Sequence, residues 1–446
     1  MSLGAMAQLP VYLDDTKPLD DRVEDALNRM TPEEKSVLLQ GMSSTVKPGV
    51  PRLGIPSFNV DTQRDPLFPS CSFLASAWDP ELAWQYGHAL AERALYRNVH
   101  MIGNIDIAET GSDPYLALKM VSPFIEGVHS CGMAVAQDEW FEALDQPASE
   151  SVDDRLSPLL QLYCLTSMNR QRPMGFLGTD EQKAVARTIA EEGIVLLKND
   201  HGLLPLSAGA SCKIWMVGAH PVEGLEEALS RRHIQADWAA CTFDQVVIKA
   251  GLADVVILTD DFSDRDEIPF LKKVSALIQA GEMGEEGAEA LAAVLTGEVN
   301  PSGKLPYEWK GIEEKEPLFA LGYGLSYTSF ELTNMVQSGR ELPIGGDLFV
   351  TVTVTNTGDR EGSEVVQLYI HDIKTSLPKP DKTLQGFRKV TLKPGESQEV
   401  SFPINESSVL FYDEVSESWI AEPGFYVAYV GNAMNNTPLK ARFHLK

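Results

Sequence analysis

Glu192-Gly193-Ile194-Val195-Leu196-Leu197-Lys198-Asn199 is the stretch from which the rest of the chain is read. Its apolar centre is too short for a helix of its own. It lies between a glycine and the turn-rich run Lys198-Asn199-Asp200-His201-Gly202. A strand buried on both faces over Gly193–Leu197 is the reading that fits. Upstream, Thr179 and Gln182 form a capping box that opens a helix running through Glu192. Downstream, Lys213–Gly218 and Asp254–Thr259 are continuous apolar runs of the kind a parallel sheet buries. A helix over Gly284–Leu295 follows, and Asn300-Pro301-Ser302-Gly303 stops it. Residues 176–311 thus read as one α/β domain with a sandwiched sheet.

Beyond this block the apolar period changes to two. Leu348-Phe349-Val350-Thr351-Val352-Thr353-Val354 alternates apolar side chains with threonine. Strands are expected at Val365–Ile370, Glu399–Ile404, Phe425–Val430 and Ala441–Leu445, with turns at Asn356-Thr357-Gly358, Pro394-Gly395 and Pro423-Gly424. That spacing predicts a β-sandwich over 343–446, with 312–342 as the linker.

Before the α/β block, residues 20–175 alternate helices with short strands. Thr31-Pro32-Glu33-Glu34 is a helix start with cap, proline and capping acid. Helices are expected at Trp78–Tyr96 and Pro114–Val128, and strands at His100–Ile107 and Gly132–Ala136. About 150 residues are too few for a closed eight-fold (β/α) barrel, which takes roughly 200–250. The expectation is an incomplete barrel. Its open sheet edge calls for cover, and a homodimer is one way to supply it.

Composition narrows the ligands. The chain has 446 residues, 64 acidic against 37 basic, and a formal charge of −27. Such a surface repels phosphate backbones and anionic lipid, which argues against nucleic acid and membrane as partners. No apolar run approaches the ~20 residues of a membrane span. Five cysteines at wide spacing suggest buried free thiols in a reducing compartment. The opening residues do not read as a leader, so a cytoplasmic location is expected and the sequons at Asn405 and Asn435 are taken as chance. No Gly-x-Ser-x-Gly elbow, phosphate-binding glycine loop or Cys/His metal spacing occurs, and neither a metal nor an organic cofactor is implied.

Several blocks in order resemble family 3 glycoside hydrolases, the β-glucosidase and β-xylosidase group. They are Glu192–Asn199 with Leu203-Leu204-Pro205-Leu206, then Gly297–Pro306, Tyr323-Gly324-Leu325-Ser326-Tyr327-Thr328, Leu384-Gln385-Gly386-Phe387 and Leu392–Glu396. The resemblance implies a barrel, an α/β sandwich domain and a fibronectin type III-like domain. It also implies hydrolysis of O-glycosidic bonds in β-glucosides or β-xylosides. Weaker blocks continue it upstream: Leu53-Gly54-Ile55-Pro56, Asn59-Val60-Asp61, Phe68-Pro69-Ser70 and Gly111–Leu116. Asp61 falls where the family uses an aspartate to hold a sugar hydroxyl. A loop acid that caps or faces water is the bland alternative. Arg64 joins it as a candidate contact, and its bland role is an ion pair with Asp61 or Asp65.

The chain departs from the family pattern where chemistry is concerned. Glu139-Trp140 stands where the family has a Lys-His pair. Trp140 is kept as a substrate contact, since its ring can stack on a sugar face, as can Trp78 and Trp84; core packing is the plainer role for each. The Ser-Asp-Trp segment that carries the family nucleophile has no counterpart here. The family's acid/base glutamate precedes an Asp-Arg pair; here the pair is Asp264-Arg265, the nearest preceding acid is Asp261, and Glu267 follows. Asp261 and Glu267 are the catalytic candidates, and Asp106 and Glu109 are further substitute carboxylates. With so incomplete a set, two other readings stand beside weak hydrolysis: a non-catalytic carbohydrate-binding or assembly protein, and a repurposed enzyme acting on another small molecule.

Overall fold

The computed structural model describes residues 9–41, 45–61, 63–103, 113–135, 151–245, 253–260, 268–309, 317–343, 345–375, 380–413 and 418–446. The chain forms two compact units. One is built from Met1–Asp65, Glu81–Asp106 and Val121–Val185, the other from Pro66–Pro80, Ile107–Met120 and Ala186–Lys446.

The first unit is a partial barrel. Helices α1 (Leu19–Arg29) and α2 (Pro32–Gln40) precede strands β1 (Val46–Lys47) and β2 (Phe58–Asp61). The predicted capping box is present: Thr31 Oγ1 accepts from Glu34 N–H at 3.2 Å, and the Glu34 carboxylate accepts from Thr31 N–H at 2.9 Å. β1 runs antiparallel to β2, while β2, β3 (Met101–Ile102) and β4 (Ala134–Val135) are parallel neighbours. The described sheet therefore has four strands, in the order β1-β2-β3-β4. β3 and β4 are shorter than the stretches expected at 100–107 and 132–136, whose outer ends lie outside the described residues. α4 (Pro80–Tyr96) matches expectation, and so does α5 (Pro114–Ser130). In the first unit α4 and α5 approach so closely that a Cβ on Gly87 would strike the Phe124 carbonyl, and one on Gly127 the Trp84 carbonyl. Helix α6 (Val152–Leu165) was not foreseen. It buries Leu156, Leu159, Leu160 and Tyr163 beside Leu38, Phe58 and Met101. Helix α7 (Asp180–Gly193) begins at the expected capping box, where Thr179 Oγ1 accepts from Gln182 N–H at 3.2 Å.

The second unit holds the α/β sheet and the β-sandwich. α3 (Cys71–Ala75) is capped by Ser70, whose hydroxyl accepts from Phe73 N–H at 3.2 Å. The sheet contains β5 (Val195–Asn199), β6 (Ser211–Val217), β7 (Gln235–Cys241), β8 (Val255–Leu258) and β9 (Ala276–Gln279), with helices α8 (Leu225–Arg231) and α9 (Gly287–Thr296). Strand order is β5-β9-β8-β6-β7. β6, β7, β8 and β9 pair in parallel, and β5 joins β9 antiparallel. All four residues of β8 are buried, as its unbroken apolar run required. β7 escaped the sequence reading because five of its seven residues are exposed, which leaves no apolar pattern.

The sandwich pairs a three-stranded sheet with a five-stranded one. β10 (Phe330–Gln337), β12 (Leu348–Asn356) and β15 (Ser397–Ile404) form the first. β11 (Glu341–Leu342), β19 (Leu439–Leu445), β18 (Gly424–Gly431), β13 (Gly362–Asp372) and β14 (Thr383–Leu392) form the second. β16 (Phe411–Asp413) and β17 (Ser418–Ile420) make a separate ribbon. In β12 the alternation reads directly as burial, with Leu348, Val350, Val352 and Val354 inside. The expected linker over 312–342 is corrected at its far end: β10 is a full strand paired with β12. Its pattern is blurred by a register shift between Thr333 and Val336, where Asn334 takes φ 52°. Asparagine tolerates that left-handed region at a bulge.

The motifs carrying the resemblance join the α/β sheet to the sandwich. Asn300 Oδ1 accepts from Ser326 Oγ at 2.9 Å and from Tyr327 N–H at 2.8 Å. Trp78 is fully buried, and its indole N–H donates to the Lys304 carbonyl at 3.1 Å. Its role is packing, and it presents no sugar-stacking face.

Candidate functional site

β2 ends at Asp61, in the place where parallel barrel strands carry ligand-binding side chains. Its Oδ1 accepts from Gln63 N–H at 3.0 Å, and Arg97 Nη2 lies 2.9 Å from its Oδ2. A carboxylate offers about four lone-pair positions, and the described residues occupy two of them. Asp65 has a different environment. It is buried, and Arg93 grips it with Nε at 2.8 Å and Nη2 at 2.9 Å. Arg97 Nη2 also reaches Asp65 at 3.4 Å. Arg93 and Arg97 stand one turn apart at the carboxyl end of α4, where the helix dipole favours cations. The partners described for the two acids include these arginines; Arg64, the partner expected from the sequence, is exposed.

His100, just before β3, is buried. Its Nδ1 accepts from Asn59 N–H at 3.0 Å, and burial pushes its pKa down to about 4. It is a neutral structural acceptor at neutral pH. Trp84 stacks on His88 with ring centroids 5.1 Å apart. Cys131, Cys164 and Cys212 are buried free thiols as expected, whereas Cys71 and Cys241 are half-buried.

Asp261, Glu267, Trp140, Asp106 and Glu109 lie outside the described residues. The segment with Asp261 and Glu267 follows β8, and the last described residue before it is Asp260. Hollows among the described residues of the second unit include the following two. One, of about 290 Å3, is lined by polar groups that include Asp260 and Gln279. The other, of about 360 Å3, lies between β6, β7 and α8, and is lined mostly by apolar side chains such as Met216, Val222 and Leu229.

A model of the glycosyl hydrolase family 3 C-terminal domain matches residues 223–327, and one of the fibronectin type III-like domain matches 364–434. The chain is 26% identical to β-glucosidase BoGH3A of Bacteroides ovatus over 700 residues, with 95% of this chain and 94% of the relative covered. An alignment longer than the 446 residues present means that the relative contains long internal stretches absent here. A periplasmic β-glucosidase of Salmonella typhimurium is 35% identical over 191 residues, which is 36% of this chain and 25% of that protein. Among solved structures, β-glucosidase 3B of Thermotoga neapolitana in complex with α-D-glucose superposes with a TM-score of 0.75 at 19% identity, covering 95% of this chain and 99% of that one. A β-glucosidase of Erythrobacter marinus gives 0.77 at 18%, covering 98% and 100%. These likenesses establish the incomplete barrel, α/β sandwich and fibronectin type III-like architecture.

Proposed function

We propose that this chain, a β-glucosidase-like protein of glycoside hydrolase family 3 with a shortened barrel, binds the terminal sugar of a small β-glucoside or β-xyloside and hydrolyses its O-glycosidic bond. The observation that carries the reading is Asp61. It stands at the carboxyl end of a parallel barrel strand, oriented by Arg97, with acceptor positions that the described residues leave open to a sugar hydroxyl. Arg64 and Trp140 are assigned to substrate contact, and Asp261 and Glu267 to the acid roles. Retaining cleavage needs two carboxyl groups about 5–5.5 Å apart, and inverting cleavage about 6.5–9.5 Å. The test is turnover of aryl β-glucoside and aryl β-xyloside at high enzyme concentration. Asp61→Ala is expected to raise KM, and Asp261→Ala or Glu267→Gln to lower kcat. Absence of turnover with the unaltered chain overturns hydrolysis.

A second reading, sugar binding without cleavage, is favoured by the missing Ser-Asp-Trp segment and by Glu139-Trp140 in place of Lys-His. Its signature is thermal stabilisation by sugar with no product, since a ligand that binds only the native state stabilises it. We also assign a second copy of the chain as the partner that covers the open barrel sheet. Light scattering that shows a monomer at micromolar concentration argues against it.

A further inference from the structure

β7 and the helix that precedes it do not match in length. α8 has seven residues and rises about 10 Å, whereas the seven residues of β7 extend about 23 Å. A helix that short covers only part of the sheet face beneath it. On that face β7 presents Ala236, Trp238 and Ala240, and the two methyl groups cannot fill the gap. The result is the 360 Å3 hollow, floored by Ile214 and Met216 of β6 and walled by Leu225 and Leu229 of α8. Its volume falls in the range of small-molecule sites, about 300–1,000 Å3. β7 is the last strand of the described sheet, and where the chain leaves it, Phe243 packs with Trp215 and Val217 on the opposite face.

Trp238 is the large side chain between the two alanines, and it is 45% exposed. Its indole N–H donates to Glu226 Oε2 at 2.7 Å, which holds the ring beside the hollow. Glu223, Glu226 and Glu227 also line the space, and its described lining contains no lysine, arginine or histidine. The arginines at the far end of α8, Arg231 and Arg232, are engaged by Glu289 and Glu298. The positive end of α8 amounts to about half a charge, so three carboxylates leave the mouth of the hollow negative.

Apolar floor and acidic mouth together select the ligand. A small hydrated cation gains nothing from the floor, where it would lose its water. An anion is repelled by the carboxylates. A neutral hydrocarbon fills the floor and leaves the charges unanswered. A molecule with an apolar ring and one positive charge answers both, and the Trp238 ring adds its own attraction for a cation. We infer that this hollow binds a small arylalkylammonium ion, with its ring over Met216 and Leu229 and its charge at Glu223, Glu226 and Glu227. The inference is independent of the carbohydrate reading above and uses none of the residues assigned there.

The test titrates the full chain with phenethylammonium, 2-phenylethanol, phenylacetate and ethylammonium, by calorimetry and by saturation-transfer NMR. Phenethylammonium is expected to bind about tenfold more tightly than 2-phenylethanol, with no measurable binding of the other two. The double change Glu223→Gln/Glu226→Gln is expected to weaken phenethylammonium about fivefold, while the amide oxygen at position 226 still accepts from the indole. Ala240→Leu fills the hollow and is expected to abolish binding. Asp61→Ala is expected to leave the affinity unchanged, which separates this hollow from the acidic tip of β2. Should Ala240→Leu fail to fold, hydrogen exchange of the unaltered chain serves instead: phenethylammonium slows exchange in peptides spanning 225–231 and 235–241. Absence of phenethylammonium binding overturns the inference. So does equal affinity for 2-phenylethanol, indifference to Ala240→Leu, loss of binding through Asp61→Ala alone, or unchanged exchange in both peptides.

Discussion

Lys304 and Glu364 form an ion pair of 2.6 Å with both side chains almost entirely out of water. Lys304 comes from the segment that leaves the α/β sheet, and Glu364 from β13 of the sandwich. Each is satisfied further: Lys304 Nζ donates to the Gly324 carbonyl at 2.8 Å, and Glu364 accepts from Val365 N–H at 2.8 Å and from Asn432 Nδ2 at 2.9 Å. A buried pair is tolerable only when its remaining protons and lone pairs are met in this way.

Removing one partner leaves the other charge stranded. Lys304→Met is expected to cost about 3–5 kcal/mol. The double change Lys304→Met/Glu364→Leu is expected to recover much of that. Thermal unfolding midpoints of the three chains check it, and equal losses in single and double variants would speak against a buried pair.

Asp61, which ends β2, and Asp65, which follows it, are expected to separate by function. Asp65→Asn removes the charge gripped by Arg93 and leaves a buried guanidinium, so stability falls by a few kcal/mol. Asp61→Asn is more exposed to water and is expected to leave the unfolding midpoint nearly unchanged while weakening sugar binding about tenfold. Paired calorimetric and unfolding measurements on both variants decide the assignment.

His100 makes stability depend on acid. Its folded pKa of about 4 is below the unfolded value near 6.5. Between these values the unfolded chain binds the extra proton, so stability rises with pH and is lost as pH falls from about 6.5 to about 4. Carboxylates titrate in the same window, so the useful quantity is the difference between the unaltered chain and His100→Gln. That difference is expected to vary through the window and to be flat above pH 7.

Gly87→Ala is expected to destabilise the first unit by about 1–3 kcal/mol through overpacking, since the added methyl meets the Phe124 carbonyl. Urea unfolding of the full chain reports it as a lower midpoint. No change would mean that the two helices part without cost.

Much of the architecture was legible in the chain because local physics carried it. β8 and β12 announced themselves, one as an unbroken apolar run and the other as strict alternation. The capping boxes at Thr31 and Thr179 marked their helices. β7 and β10 did not, for opposite reasons: the first is mostly exposed, and the second is broken by a bulge. Of the candidate site, Asp61 was readable from the family likeness alone, which could not supply its partners. Arg93 and Arg97 reach Asp65 and Asp61 from about thirty residues away, and Lys304 meets Glu364 from sixty.

The sequence by itself determined the types and order of the elements, since periodicity, caps and turns act over a few residues. Only the tertiary structure decided which charges meet and which acceptors are left over. Gln279 ends an apolar strand like any other polar residue. Its oxygen has no hydrogen-bond partner among the described residues because the pairing of β8 with β9 sets it beside Asp260, whose carbonyl takes the amide N–H.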